Sequence, residues 1–177
     1  VHTDWTYTDT DKYLGIKGGK AGSSHGHMDA GSFVYDAYGV RWSMDFGLQS
    51  YTTLESVLAG LGGNLWDMGQ NSMRWDVFRL NNLNHSTISI NDARHRVNGA
   101  ATRTVKIVND KDLVVMDEIK ARTDKSAKVR WCMVTPAVPT VESNRIVLTN
   151  GSKVMYLTAS GSVKPTYKQW STTSENS

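Results

Sequence analysis

The stretch Ser32-Phe33-Val34-Tyr35-Asp36-Ala37-Tyr38-Gly39-Val40-Arg41-Trp42-Ser43-Met44-Asp45-Phe46 decides the reading of the fold. Residues 32–37 and 40–46 are two extended runs rich in aromatic and β-branched side chains, and Tyr38-Gly39 between them is a hairpin turn. In the second run Val40, Trp42, Met44 and Phe46 alternate with Arg41, Ser43 and Asp45, so one face is apolar and the other polar. Downstream the same period recurs. Ile88 and Ile90 are expected on one face, with His85, Thr87 and Ser89 on the other. Further strands are expected at 104–108, 113–119, 127–134, 145–148 and 153–157. Asn98-Gly99, Asn109-Asp110-Lys111, Asp124-Lys125 and Asn150-Gly151-Ser152 punctuate them. Strands at such short, regular spacing predict an all-β chain, an antiparallel sandwich or barrel.

One helix interrupts the pattern. Leu54, Val57, Leu58 and Leu61 have helical spacing, Thr52 to Glu55 reads as a capping box, and Gly60, Gly62 and Gly63 end it. Residues 64–80 show neither period. The tail 164–177 is polar and is expected to fray apart from Tyr167 and Trp170. No repeat or linker is visible, so residues 1–177 read as one domain.

Composition limits the function classes. Hydrophobic residues make up 39% and charged residues 21% of 177, which excludes a disordered tail or a coiled coil. Twenty Lys and Arg against seventeen Asp and Glu leave +3, too little to argue for a nucleic-acid binder. Cys132 stands alone, so neither an internal disulfide nor a multi-cysteine zinc site exists, and its apolar neighbours place it in the core. No apolar run approaches the roughly 20 residues of a membrane span. The chain starts at Val1 rather than Met, and is expected to begin after processing or as a piece of something longer.

The chemistry concentrates in Gly22-Ser23-Ser24-His25-Gly26-His27-Met28-Asp29-Ala30-Gly31. In an extended chain His25, His27 and Asp29 project to one side, and the small residues around them allow close approach. Asp45 lies on the polar face of the strand folding back beside this segment, and His85 on the polar face of its own strand. Two imidazoles and a carboxylate from separate strands suit a tetrahedral zinc with one open position. Glu55 and Asp67 compete as the carboxylate. The alternative is a set of ordinary polar contacts: a loop hydrogen-bonding its own backbone, an Asp45–Arg41 ion pair, a buried His85. His95 reads as a loop residue and His2 as inert. Arg74, Arg79, Arg94 and Arg96 are candidate contacts for sulfate or carboxylate groups, and singly are ordinary surface residues.

The block His25-Gly26-His27-Met28-Asp29-Ala30-Gly31-Ser32-Phe33, with Asp45-Phe46-Gly47, Tyr51 and Asn84-His85-Ser86-Thr87 downstream, resembles the heparinase II/III-like family of bacterial polysaccharide lyases. The likeness covers residues 17–120 well and the rest loosely. It implies an antiparallel β-sandwich that follows an N-terminal α/α-toroid this chain lacks. It implies a structural zinc on His27, Asp45 and His85, with Asp29 behind the ligands, and His25 in the substrate cleft as a catalytic residue. Arg74, Arg79 and His95 are then weaker candidates for substrate contact.

The implied reaction is β-elimination on an acidic, uronate-containing polysaccharide such as a glycosaminoglycan. A base removes the C5 proton, the electrons form the 4,5 double bond, and the 4-linked sugar leaves with a proton from an acid. The toroid supplies most of that machinery, so the isolated chain is expected to show little or no turnover. Export to the periplasm or cell surface is implied likewise. Two other readings stand beside this one. His27, Asp29 and His85 or His95 also form the two-histidine, one-carboxylate set of a jelly-roll Fe(II) oxygenase. A non-catalytic carbohydrate-binding sandwich would instead stack sugars on Trp5, Trp66 or Trp170.

Overall fold

The computed structural model describes the 177-residue chain except residues 4, 7, 21, 91–98, 122–127 and 173–177. The described residues are mostly strands in antiparallel sheets, with one α-helix. They divide into two interleaved compact units: residues 1–14, 34–44 and 135–177 make one, and residues 15–33 and 45–134 the other. Composition and linker signals gave no hint of this division, because the chain passes back and forth between the units rather than through one linker.

In the first unit, β1 (Lys12–Ile16), β2 (Phe33–Ala37) and β3 (Val40–Ser43) form a sheet in that order, β1 and β2 running on into the second unit. The β2–β3 turn is the one expected. Tyr38 at φ 56° and Gly39 at φ 71° are successive left-handed residues, which match the twist of a two-residue hairpin. Asp36 opposes Arg41 across the hairpin and takes both its Nε and Nη2 at 2.7 Å, so Arg41 pairs with Asp36 and not with Asp45. β3 stops at Ser43, three residues short of the expected run. The unit's second sheet, order β10-β9-β8, comprises β8 (Val138–Val141), β9 (Ile146–Asn150) and β10 (Lys153–Leu157). Neither β1 nor β8 is legible in the sequence; Gly15 interrupts one and Pro139 the other.

The second unit holds α1 (Tyr51–Gly60), 3-10 turns at Met73–Asp76 and Asn82–Asn84, and the pairs β4 (Ile88–Ile90) with β7 (Val129–Trp131) and β5 (Gly99–Val108) with β6 (Asp112–Ala121). Leu54 and Leu58 of α1 pack with Leu65 and Leu80 into a buried cluster. The capping box does not form: Ser50 is the N-cap, without a side-chain bond, and Thr52 lies inside the first turn. The C-terminus closes as a Schellman motif. Gly62, at φ 79°, donates to Ala59 O and Gly63 to Leu58 O, and a Cβ on Gly63 would lie 2.7 Å from Met73 Sδ, so Met73 would have to shift. The undecided stretch 64–80 contains only the first 3-10 turn, too short to show a period.

The run from His85 into β4 departs from the binary reading. His85, Thr87 and Ser89, on the polar face, are buried, while Ile88 and Ile90 are only half-buried. Ser86, of the opposite parity, is fully buried too, so burial does not alternate through this run.

Cys132, expected in the core, is only half-buried, with its Sγ 3.8 Å from Leu83 O, and burial pushes its thiol up against the opposing pull of Arg130. A thiolate is the reactive form. Cys132 is therefore expected to react more slowly with a thiol-specific reagent in buffer than after unfolding in urea; equal rates in the two states would contradict the raised thiol.

Candidate metal centre

The segment 22–32 is held by its neighbours rather than by a ladder of its own. Met28 N–H donates to Leu80 O, Lys17 N–H to Ser32 O, and Thr87 Oγ1 to Ala30 O, all at 2.8 Å. His25 takes a left-handed φ of 61°, which breaks the extended run expected through 25–29. The break separates His25 from the other two. His25 is exposed, whereas His27 and Asp29 turn toward His85.

One ligand atom each from His27, Asp29 and His85 lies within 4.8 Å of the other two, a cluster that could hold a metal ion. The rings of His27 and His85 are 5.7 Å apart between centroids. Asp45, expected as the third ligand, lies outside this group, with its Oδ2 2.6 Å from His85 Nδ1. Asp29, expected behind the ligands, is inside it. Neither Glu55 nor Asp67 joins: Glu55 accepts from Trp66 Nε1 and Asp67 from Gly69 N–H.

Asp45 governs the chemistry of His85. Burial alone would raise its carboxyl, but the His85 hydrogen bond, the Gly47 N–H at 2.8 Å and the two nearby imidazoles bring it below the ordinary range. An ionised carboxylate only accepts, so Nδ1 of His85 carries the proton. Nε2, the other ring nitrogen, is fully buried with no hydrogen-bond partner among the described residues, and in a neutral ring it is the free lone pair. A buried acceptor left this way costs about 1–3 kcal/mol, so it calls for a partner of some kind. His27 is held below its usual value, burial outweighing the attraction of Asp29, so its ring is neutral at neutral pH, the form that binds a metal. Lys17 Nζ sits 2.5 Å from Asp29 Oδ2, and its side chain is 55% exposed. The carboxylate thus faces a cation that can swing away into solvent. Two imidazoles, one carboxylate and a buried Nε2 without a partner among the described residues fit a divalent transition metal.

Three arginines fix the backbone around these side chains. Arg74 is fully buried, and donates from Nη1 to Leu65 O and from Nη2 to Gly26 O, both at 2.8 Å. Arg79 donates from Nη1 to Phe46 O at 2.7 Å and Leu48 O at 3.1 Å, just beyond Asp45. Arg103 donates from Nη1 to Gly31 O at 2.8 Å and Ser86 O at 3.0 Å, and its Nε and Nη2 hold Asp117 at 2.7 and 2.8 Å. The expected substrate contact of Arg74 is therefore corrected: its guanidinium is sealed from solvent and directed at two carbonyls. Arg79 likewise binds main chain, and His95, with Arg94 and Arg96, lies outside the described residues. Sequence reasoning missed Arg103 and Lys17, because a lone basic residue in a strand carries no pattern.

His25 meets two other aromatic rings. Trp66 stands edge-on to it at 5.1 Å and Tyr51 is tilted at 5.4 Å, with Tyr51 and Trp66 themselves 5.4 Å apart. No family model matches the chain, and no curated protein matches it.

Proposed function

We propose that the chain is the β-sandwich part of a bacterial polysaccharide lyase of the heparinase II/III-like kind, acting on a uronate-containing polysaccharide. The observation that carries this reading is the pairing of a buried two-histidine, one-carboxylate cluster with an exposed histidine two residues from its first ligand. His25 would face substrate and handle a proton or the uronate carboxylate, a task that suits an imidazole near neutral pH. His27, Asp29 and His85 would hold zinc, with Asp45 orienting His85. Zinc here would pin the 22–32 segment to the segment that leads into β4. Elimination consumes no water, and His85 and Asp29 are buried, as in closed structural sites. The N-terminal toroid of the parent chain would be its partner, and export its destination.

A second reading draws on the same cluster. His27, Asp29 and His85 are also the set expected for an Fe(II) oxygenase, which needs open coordination positions for its co-substrates. Metal analysis of the purified chain separates the two. About one zinc per chain, absent from His27→Ala and Asp29→Ala, is expected for the structural site. Iron with oxidant-dependent turnover would replace the lyase reading by the oxygenase. An empty chain after zinc reconstitution would remove the metal site altogether.

A further inference from the structure

We propose that Trp66 and Tyr51, grouped around His25, form a stacking platform for a neutral pyranose ring, the sugar next to the uronate. The proposal rests on the lyase reading for its substrate but on separate observations for its place. Three aromatic rings in mutual contact stand at the surface, with Trp66 43% exposed and His25 exposed.

The group is built, not incidental. Buried Arg74 holds the carbonyl of Leu65, the residue before Trp66, and that of Gly26, the residue after His25. Trp66 N–H donates to Asn64 Oδ1 at 2.9 Å, and its indole Nε1–H is directed at Glu55. His25 is kept in a left-handed conformation that a non-glycine residue rarely adopts. Rings fixed in advance lose little freedom when a ligand lands on them.

The chemistry of the platform selects its occupant. A pyranose offers an apolar C–H face to an indole and a rim of hydroxyls to polar groups. Glu55 supplies an acceptor, and the Tyr51 hydroxyl and His25 imidazole supply donor or acceptor atoms. Nucleobases stack as readily, but their phosphates want cations, and the carboxylate of Glu55 stands at this indole. The same charge repels a uronate carboxylate, so the ring over Trp66 is a neutral one.

The test is binding of two unsulfated tetrasaccharides to the full 177-residue chain, followed through its tryptophan indole N–H signals. One probe alternates glucuronate with N-acetylglucosamine, and the other is all uronate. The alternating probe is expected to shift the Trp66 signal and to bind more tightly. Trp66→Ala should weaken it by about tenfold, roughly 1.4 kcal/mol, while Trp170→Ala leaves it unchanged. Tyr51→Phe, which keeps the ring, should retain most of the affinity. Equal binding by Trp66→Ala, or a preference for the all-uronate probe, overturns the platform. So does absence of binding by either probe, while metal content measured on the same sample still reports on the lyase reading. Unchanged metal content in Trp66→Ala confirms that the variant is folded.

Discussion

Replacing Arg103 with Met is expected to destabilise the chain by about 3–5 kcal/mol, because it removes one partner of a buried ion pair. The Arg103 and Asp117 side chains are only 7% and 12% exposed, and the β5–β6 register sets the two residues directly opposite each other. Without the guanidinium the Asp117 carboxylate loses two charge-assisted bonds, and the carbonyls of Gly31 and Ser86 lose their shared donor. Those carbonyls belong to the residue two past Asp29 and the residue after His85. The variant should therefore also bind zinc more weakly, by about 10–100-fold, the usual effect of losing a group that orients ligands. Urea unfolding of the metal-free chain measures the first effect, and competition with a chelator measures the second. The double variant Arg103→Met/Asp117→Leu separates them. Removing both charges should recover part of the lost stability, since no carboxylate is stranded, but not the metal affinity, since the two carbonyls remain unheld. Full metal affinity in the double variant would mean that Arg103 serves the hairpin and not the site.

That two histidines and a carboxylate from separated segments would meet was legible in the sequence; which carboxylate joins the cluster was not. His27, Asp29, Asp45 and His85 come together, while His25 of the same block does not. The partition of roles among them was hidden, because a period-2 rule assumes an extended backbone and His25 leaves it at φ 61°. One left-handed residue sends His25 to the aromatic group and leaves His27 and Asp29 for the cluster. Arg74 shows a second blind spot. A basic residue in an aperiodic stretch reads as surface, yet backbone carbonyls from two distant segments can satisfy a buried guanidinium.

The fold was legible where turns are chemically explicit. Tyr38-Gly39, Asn109-Asp110 and Asn150-Gly151 each lie between paired strands, and each has at least one residue at positive φ. It was hidden where tertiary contact overrides local pattern. On the run into β4 the rule that apolar residues face inward fails, since His85, Ser86, Thr87 and Ser89 are all buried while Ile88 and Ile90 are half-buried. Helix α1 was found from Leu54, Leu58 and its glycines, but its start was misplaced because Thr52-x-x-Glu55 also fits inside a first turn.

Two carboxylates compete for the ligand role, and a pair of conservative substitutions decides between them. Asp29→Asn is expected to abolish zinc binding, and Asp45→Asn only to weaken it by about 10–100-fold. The reasoning is geometric. Asp29 belongs to the cluster whose ligand atoms lie within 4.8 Å of one another, whereas Asp45 is engaged with His85 Nδ1 at 2.6 Å and with Gly47 N–H at 2.8 Å. Asparagine at 45 can still accept from Nδ1, so the ring keeps its orientation, but the charge that makes the imidazole a stronger donor is gone. His85→Ala completes the series. It should remove metal binding altogether and cost about 1–3 kcal/mol in the metal-free chain, because the Asp45 carboxylate then loses its partner in a half-buried setting. The reverse order, with Asp45→Asn abolishing binding and Asp29→Asn merely weakening it, would make Asp45 the ligand that the heparinase-like resemblance implies. Lys17 would then be the permanent counter-ion of Asp29.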